Sequence, residues 1–190
     1  MKFIHVLILI LVSKTAFSQV ETVKFYQIHE LKNASVDTIF AIDLKKSNLT
    51  EIPEEIYKFT NLQYLDLSKN KLTEVKNLEI FSQLRYLNLE KNKLIYFPIG
   101  ICQLYKLETL IISKNDISSI PACIEYCQNL KMLDLWSTAI TSLPSEMAKL
   151  PALEKIDFTG ISINKQGQER IKNLLPKVKL ILDSPCNCAL

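Results

Sequence analysis

Residues able to do acid–base or nucleophilic chemistry are few in this chain. It contains two histidines, His5 and His29, whereas a Ser- or Cys-dependent hydrolase needs a base held beside its nucleophile. The three glycines form no phosphate-binding loop, and neither an H-E-x-x-H motif nor a dinucleotide fingerprint is present. The sequence therefore predicts a protein that is not an enzyme and that needs no cofactor and no metal.

The five cysteines are the other reactive side chains: Cys102, Cys123, Cys127, Cys186 and Cys188. Because the number is odd, at least one has no partner within the monomer. Cys123 and Cys127 lie one helical turn apart, a poor geometry for a disulfide, and Cys127 is expected to be a small buried apolar residue. Cys186 and Cys188 are expected in a mobile tail, where they bridge each other or a partner. A four-thiolate zinc site is disfavoured, because the cysteine pairs are far apart along the chain.

Apolar residues recur in one template, L-x-x-L-x-L-x-x-N-x-L, along most of the chain. Its copies begin at Ile39, Leu62, Leu84, Leu107, Leu130 and Leu153, with spacings of 23, 22, 23, 23 and 23 residues. A second half, I-P-x-x-I-x-x-L, follows most copies, as at Ile52–Pro53 and Ile120–Pro121, whereas the second copy has Val75–Lys76 and no proline. The alternating leucines predict a short strand with one buried face, and the proline predicts a turn into a short helical segment.

This pattern resembles the leucine-rich-repeat family, specifically the 23-residue type with a Pro-marked second half. The resemblance implies an α/β fold: a right-handed leucine-rich-repeat solenoid with a concave parallel β-sheet and convex short helices or 3-10 turns. It also implies a ladder of asparagines between neighbouring turns, at Asn70, Asn92 and Asn115. Ser47 and Thr138 are weaker substitutes at that position, and Ile161 cannot take part.

The domain boundaries follow from the repeat and from the two ends. Residues 1–18 have a basic start, an apolar run and small residues Ala16 and Ser18, which is typical of a cleaved secretory signal. Residues 19–38 are expected to form an N-terminal cap, and residues 39–182 the solenoid of six repeats plus a truncated seventh strand. Leu175, Val178 and Leu180 are assigned to that strand, and residues 183–190 to a C-terminal tail. The chain is therefore predicted to be exported: periplasmic, cell-surface or secreted.

Two columns of charged residues run across the predicted strands. Aspartates recur at the fifth template position, at Asp43, Asp66, Asp134 and Asp157, and lysines at the eighth, at Lys46, Lys69, Lys91 and Lys114. Paired carboxylates can do acid–base work, but exposed strand positions normally take polar residues, which is the interpretation adopted. The default interpretation of the lysines is a solvated face offset by nearby acidic side chains, and the alternative is a basic edge with a weak preference for an anionic partner.

Apolar residues at positions expected to be exposed are the most informative feature. Tyr64, Tyr86, Ile111, Met132 and Trp136 form a predicted apolar strip on the concave face, and such strips mark interaction sites. The sequence thus predicts a module that binds a protein or peptide. The alternative is a structural or adhesive surface protein acting through its ends or its C-terminal thiols. Without residues 1–18 the chain has 21 basic and 20 acidic side chains, so no nucleic-acid partner is expected. No transmembrane span is expected in the mature chain.

Overall fold

The fold is a single seven-stranded parallel sheet in a computed structural model that describes residues 24–187. The strands are paired strictly in chain order, each with its sequence neighbours. They are β1 (Ala41–Asp43), β2 (Tyr64–Asp66), β3 (Tyr86–Asn88), β4 (Thr109–Ile111), β5 (Met132–Asp134), β6 (Lys155–Asp157) and β7 (Lys179–Ile181). The predicted signal segment, residues 1–18, lies outside the described residues. The predicted solenoid with a parallel sheet is confirmed.

The return segments are 3-10 helices except for the last one, as the proline-marked halves predict. They are Glu54–Ile56, Leu78–Ile80, Ile99–Gln103, Ala122–Tyr126 and Ser145–Lys149, followed by the α-helix α1, Lys165–Leu174. Four of the 3-10 segments begin directly after a proline in extended conformation: Pro53, Pro98, Pro121 and Pro144. The second repeat lacks the proline, and there Asn77 turns the chain with a left-handed backbone (φ 56°).

The core is one continuous row of fully buried leucine, isoleucine and phenylalanine side chains between the sheet and the return segments. Each repeat contributes its first, fourth and sixth template residues, such as Leu62, Leu65 and Leu67, all with 0% exposure. A single repeat buries too little apolar surface to offset the entropy of ordering its chain, so stacking is required.

Asparagine side chains connect consecutive repeats after three of the strands, β2, β3 and β4. Asn70 Nδ2 donates to the carbonyl of Leu44 in the preceding repeat (2.9 Å), while its Oδ1 accepts from the amide of Leu49 (3.1 Å). Asn92 and Asn115 repeat both contacts one and two turns further on. Thr138 accepts only from Ile140 within its own turn, at 3.5 Å.

The two ends of the stack are built differently. At the start, the 3-10 segments Ile28–Asn33 and Val36–Thr38 lie over the first repeat, where Leu31 is buried and Tyr26 forms a parallel bridge to Ile42. At the other end, the register assigned to the seventh strand is wrong by two residues. Leu180, not Val178, pairs with Ile156, because α1 is longer than the 3-10 segments that it replaces.

The segment after β7 is not a free tail up to residue 187. Gln168 Nε2 donates to the carbonyl of Asp183 (2.9 Å), and the Cys186 amide donates to the carbonyl of Ile163 (3.2 Å). These contacts attach residues 183–186 to α1 and to the residues just before it.

Candidate site on the concave sheet

The strand register brings the predicted residues onto one face. Tyr64, Tyr86, Thr109 and Met132 pair in one column, and Asn88, Ile111, Asp134 and Asp157 pair in the next. Met132 lies two residues before Asp134 in β5, and Trp136 lies two residues after it, just beyond the end of the strand, so that the alternation places them on the same face. The apolar and acidic residues are therefore interleaved rather than separate.

Tyr64 does not belong to the accessible surface, contrary to its assignment as an exposed position. Its side chain is only 6% exposed. Phe25 from the N-terminal cap meets its ring edge-on at 6.3 Å, and the Tyr86 ring lies 6.2 Å away on the other side. Strand alternation predicts which face a residue occupies, but it does not predict that the cap reaches over that face.

The accessible part of the strip is the set Tyr86, Ile111, Met132 and Trp136, called the concave strip below. Trp136 is the most exposed of the four, at 39%, and the others are partly exposed.

Trp136 is in contact with both neighbouring repeats. Lys114 Nζ lies 3.8 Å from the ring centroid, in cation–π geometry, and is itself paired with Glu90 Oε1 at 2.9 Å. In the following repeat lies Gly160, where an added Cβ would come within 3.1 Å of Trp136 Cδ1 and Nε1. Gly160 also has a positive φ of 73°. The indole is thus preorganised, which lowers the entropy cost of using it for binding.

The lysine column owes its position to backbone conformation. Lys46, Lys69, Lys91 and Lys114 all have left-handed backbones with φ between 53° and 59°, and Ser137 continues the column with φ 54°. Each lysine amide donates to a carbonyl in the next repeat, as Lys69 does to Glu90 (2.7 Å). Lys114 uses its ammonium group on Glu90 and Trp136. The column therefore has a structural role that the basic-edge interpretation missed.

Each aspartate of the column ends its strand with a hydrogen bond from the backbone amide two residues on. Asp66 Oδ1 accepts from the Ser68 amide (2.8 Å), Asp134 Oδ1 from Trp136 (2.9 Å) and Asp157 Oδ1 from Thr159 (2.9 Å). Asn88 does the same with its amide oxygen, accepting from Glu90 (2.9 Å). These aspartates form turns rather than an acid–base pair.

Two buried serines at the same repeat position differ in their hydrogen bonding. Ser113 donates to Asp134 Oδ2 (3.2 Å), whereas the Ser68 hydroxyl is buried and has no partner among the described residues. Ser113 bonds to the residue that ends the next strand, Asp134. For Ser68, the residue at the end of the next strand is Asn88, whose side-chain amide donates to Asp66 Oδ2 (3.3 Å) instead.

We expect this difference to appear in unfolding free energies. Ser113→Ala should lower stability by about 1 kcal/mol, because it removes a hydrogen bond to a charged acceptor. Ser68→Ala should be neutral or stabilising by up to about 1 kcal/mol, since it removes a buried hydroxyl that has no partner. Chemical denaturation of both variants provides the measurement, and an equal loss in the two would contradict the assigned contacts.

The centre of the concave face lies in a negative field. Burial is the main reason that the pKa of the Tyr86 hydroxyl rises to about 12, and the carboxylates of Asp66, Glu90 and Asp134 raise it further. Burial also raises the pKa of the Asp134 carboxyl, with Asp157 and Glu90 adding to the effect. Both groups therefore lie in surroundings that disfavour additional negative charge.

A second apolar surface, outside the concave sheet, was missed by the sequence analysis. Tyr96 is 82% exposed, Ile99 63% and Ile95 57%. A comparison of repeat positions could have revealed this surface, because the positions of Ile95 and Tyr96 hold the polar residues Thr73 and Glu74 in the preceding copy. An open groove is also found between α1 and the fifth repeat, with Leu143 and Arg170 among its lining residues.

Among the described residues, three cysteines are in disulfides and one is a free thiol in the core. Cys102 and Cys123 form a disulfide between two neighbouring 3-10 segments, with a Cα–Cα distance of 5.6 Å. Cys127 is a buried free thiol that donates to the carbonyl of Ile101 (3.3 Å), and Cys186 is also disulfide-bonded. Within residues 24–187 there is no group of three or more metal-ligating side chains, and His29 lies exposed in the cap.

The comparisons with known proteins agree with this architecture. A family model described as a leucine-rich repeat region matches residues 70–176, and a leucine rich repeat model matches residues 40–94. The stacked strands, the asparagine contacts and the concave face define a repeat solenoid. The chain belongs to the leucine-rich-repeat family.

Three relatives show the extent of the similarity. The human volume-regulated anion channel subunit LRRC8A is 30% identical over 114 residues, which is 58% of this chain and 14% of that protein. Internalin C2 from Listeria monocytogenes is 29% identical with a TM-score of 0.58, covering 64% of this chain and 52% of that chain.

The third is the ectodomain of the plant membrane receptor kinase GASSHO1/SCHENGEN3 from Arabidopsis thaliana, in complex with CASPARIAN STRIP INTEGRITY FACTOR 2. It is 24% identical with a TM-score of 0.59 and covers 75% of this chain and 18% of that chain. This likeness shows the fold alone. None of the helices within residues 24–187 has the length and apolar character to cross a membrane.

Proposed function

We propose that this chain is an exported, non-catalytic module that binds a protein through the concave strip. The observation that carries the proposal is the Trp136 site, in which an exposed indole contacts Lys114 of the preceding repeat and lies against Gly160 of the following one. Tryptophan is among the residues most often found as binding anchors, and an anchor that is already ordered loses little entropy on binding.

Its neighbours extend the anchor into a patch. Ile111 and Met132 are partly exposed beside it, and Tyr86 continues the face toward the second repeat. Apolar side chains at these strand positions expose surface to water, which is unfavourable unless a partner covers it.

The proposed export rests on the signal-like residues 1–18 and on cysteine chemistry. Disulfides form and persist in oxidising compartments and are rare in the cytosol, and Cys102 and Cys123 form one. The buried Cys127 thiol, whose pKa burial raises to about 12, has the character of a core residue rather than a nucleophile.

The test is capture from the native exported fraction with the purified full chain as bait. We expect Trp136→Ala, and more strongly Trp136→Ala with Tyr86→Ala, to reduce recovery of the captured protein at least tenfold, because the anchor is lost. Tyr96→Ala is the matched control, since it removes an exposed aromatic residue away from the concave sheet. Unchanged capture by a folded double variant would refute the assignment.

The alternative is an adhesive surface protein that acts away from the concave face. The exposed Ile95, Tyr96 and Ile99 favour it, whereas a role for a free Cys186 thiol is disfavoured because that residue is disulfide-bonded. In the same experiment, loss of capture with Tyr96→Ala but not with Trp136→Ala would select this alternative.

A further inference from the structure

We propose that the segment bound on the concave strip carries a basic side chain, Arg or Lys, that pairs with Asp134 and Asp157. This inference rests on the proposed function, and it names the chemistry of the partner. It is opposite in sign to the anionic preference that the lysine column suggested.

Asp134 lies within the apolar surface rather than beside it. Its neighbours two residues away along the chain are Met132, in β5, and Trp136, just after β5, and its partner on β4 is Ile111. Its partner on β6 is a second carboxylate, Asp157. Any partner that covers the concave strip therefore also covers Asp134.

Covering Asp134 removes water from a carboxylate that has no cation beside it. Within residues 24–187, neither Asp134 nor Asp157 has a lysine, arginine or histidine nitrogen within 4.0 Å. Lys155, which pairs with Met132 across the strands, makes no such contact, and Lys114 is held by Glu90. A carboxylate buried without a counter-charge is costly, so a well-fitting partner must supply one.

The remaining hydrogen bonds of Asp134 leave this need unmet. Oδ1 accepts from the Trp136 amide and Oδ2 from the Ser113 hydroxyl, and both are neutral donors. Asp157 is its directly opposite neighbour, and adjacent strands are about 4.8 Å apart. Like charges on directly opposite residues of neighbouring strands are destabilising, and Asp157 is among the groups that raise the pKa of the Asp134 carboxyl. One guanidinium or ammonium group is able to reach both carboxylates and relieve the repulsion.

The experiment uses a phage-displayed library of random 12-residue peptides, selected on the immobilised full chain and counter-selected on Trp136→Ala. We expect the enriched peptides to contain Arg or Lys next to an apolar residue. The most enriched peptide is then synthesised, and its Kd is measured by fluorescence anisotropy against the wild type and the variants. Asp134→Asn with Asp157→Asn should weaken binding at least tenfold.

The variants are chosen so that the fold is retained. Asparagine keeps the oxygen that caps the strand end, as Asn88 does at the same position. Asp43→Asn is the matched control, because Asp43 caps its strand in the same way but lies in the first repeat. It should leave the Kd unchanged.

The composition of the enriched peptides and the direction in which the Asn variants change the Kd distinguish the possible outcomes. If the peptides depend on Trp136 but are neutral or acidic, or if the Asn variants bind equally or more tightly, the inference is overturned and the concave site stands. If no enriched peptide depends on Trp136, both the inference and the proposed function are overturned.

Discussion

Leu67→Ala should lower the free energy of unfolding by about 2–5 kcal/mol, the range for truncating a fully buried leucine. Leu67 has 0% exposure and lies in the central row of the core. Its backbone is fixed as well, because its carbonyl accepts from Asn70 Nδ2 (2.8 Å) and Asn92 Nδ2 (3.1 Å). The structure therefore has little freedom to close the cavity that the substitution leaves.

A denaturant titration followed by circular dichroism measures this change. Lys71→Ala, an exposed position in the same repeat, is the control and should change stability by less than about 0.5 kcal/mol. Equal stabilities of the two variants would show that the repeat register is wrong.

Loss of the Cys102–Cys123 disulfide should cost about 3 kcal/mol, the value expected for closing a loop of this length in the unfolded chain. The two residues are 21 apart in sequence and join neighbouring 3-10 segments. Stability in a solenoid comes largely from interfaces between neighbouring repeats, so the cross-link reinforces one such interface.

The measurement compares the wild type with Cys102→Ala plus Cys123→Ala, each with and without reductant. In reductant, the wild type should fall to about the stability of the double variant in the same reductant. The double variant in reductant also isolates the contribution of the disulfide at Cys186. A double variant as stable as the oxidised wild type would contradict the prediction.

The first six strands were predictable because their leucines alternate in a fixed register. The same logic placed Asn70, Asn92 and Asn115 at the ends of three strands. The seventh strand was shifted by two residues, since an α-helix replaces the shorter 3-10 turn before it and spacing alone does not reveal that change.

The site was only partly predictable, because exposure depends on contacts between distant segments. Tyr64 occupies an outward strand position, yet Phe25 covers it. Cys102 and Cys123 are the nineteenth and seventeenth residues of their repeats, so no common column identified them as a pair. The contact between Trp136 and Gly160 likewise joins two repeats.

The most direct test of concave-face binding is to locate the partner by photo-cross-linking. A benzophenone amino acid replaces Met132 in one sample and Tyr96 in another, and each is irradiated with the protein captured from the exported fraction. Binding through the concave strip predicts a cross-linked product from position 132 and little or none from position 96. A product from position 96 alone would contradict it.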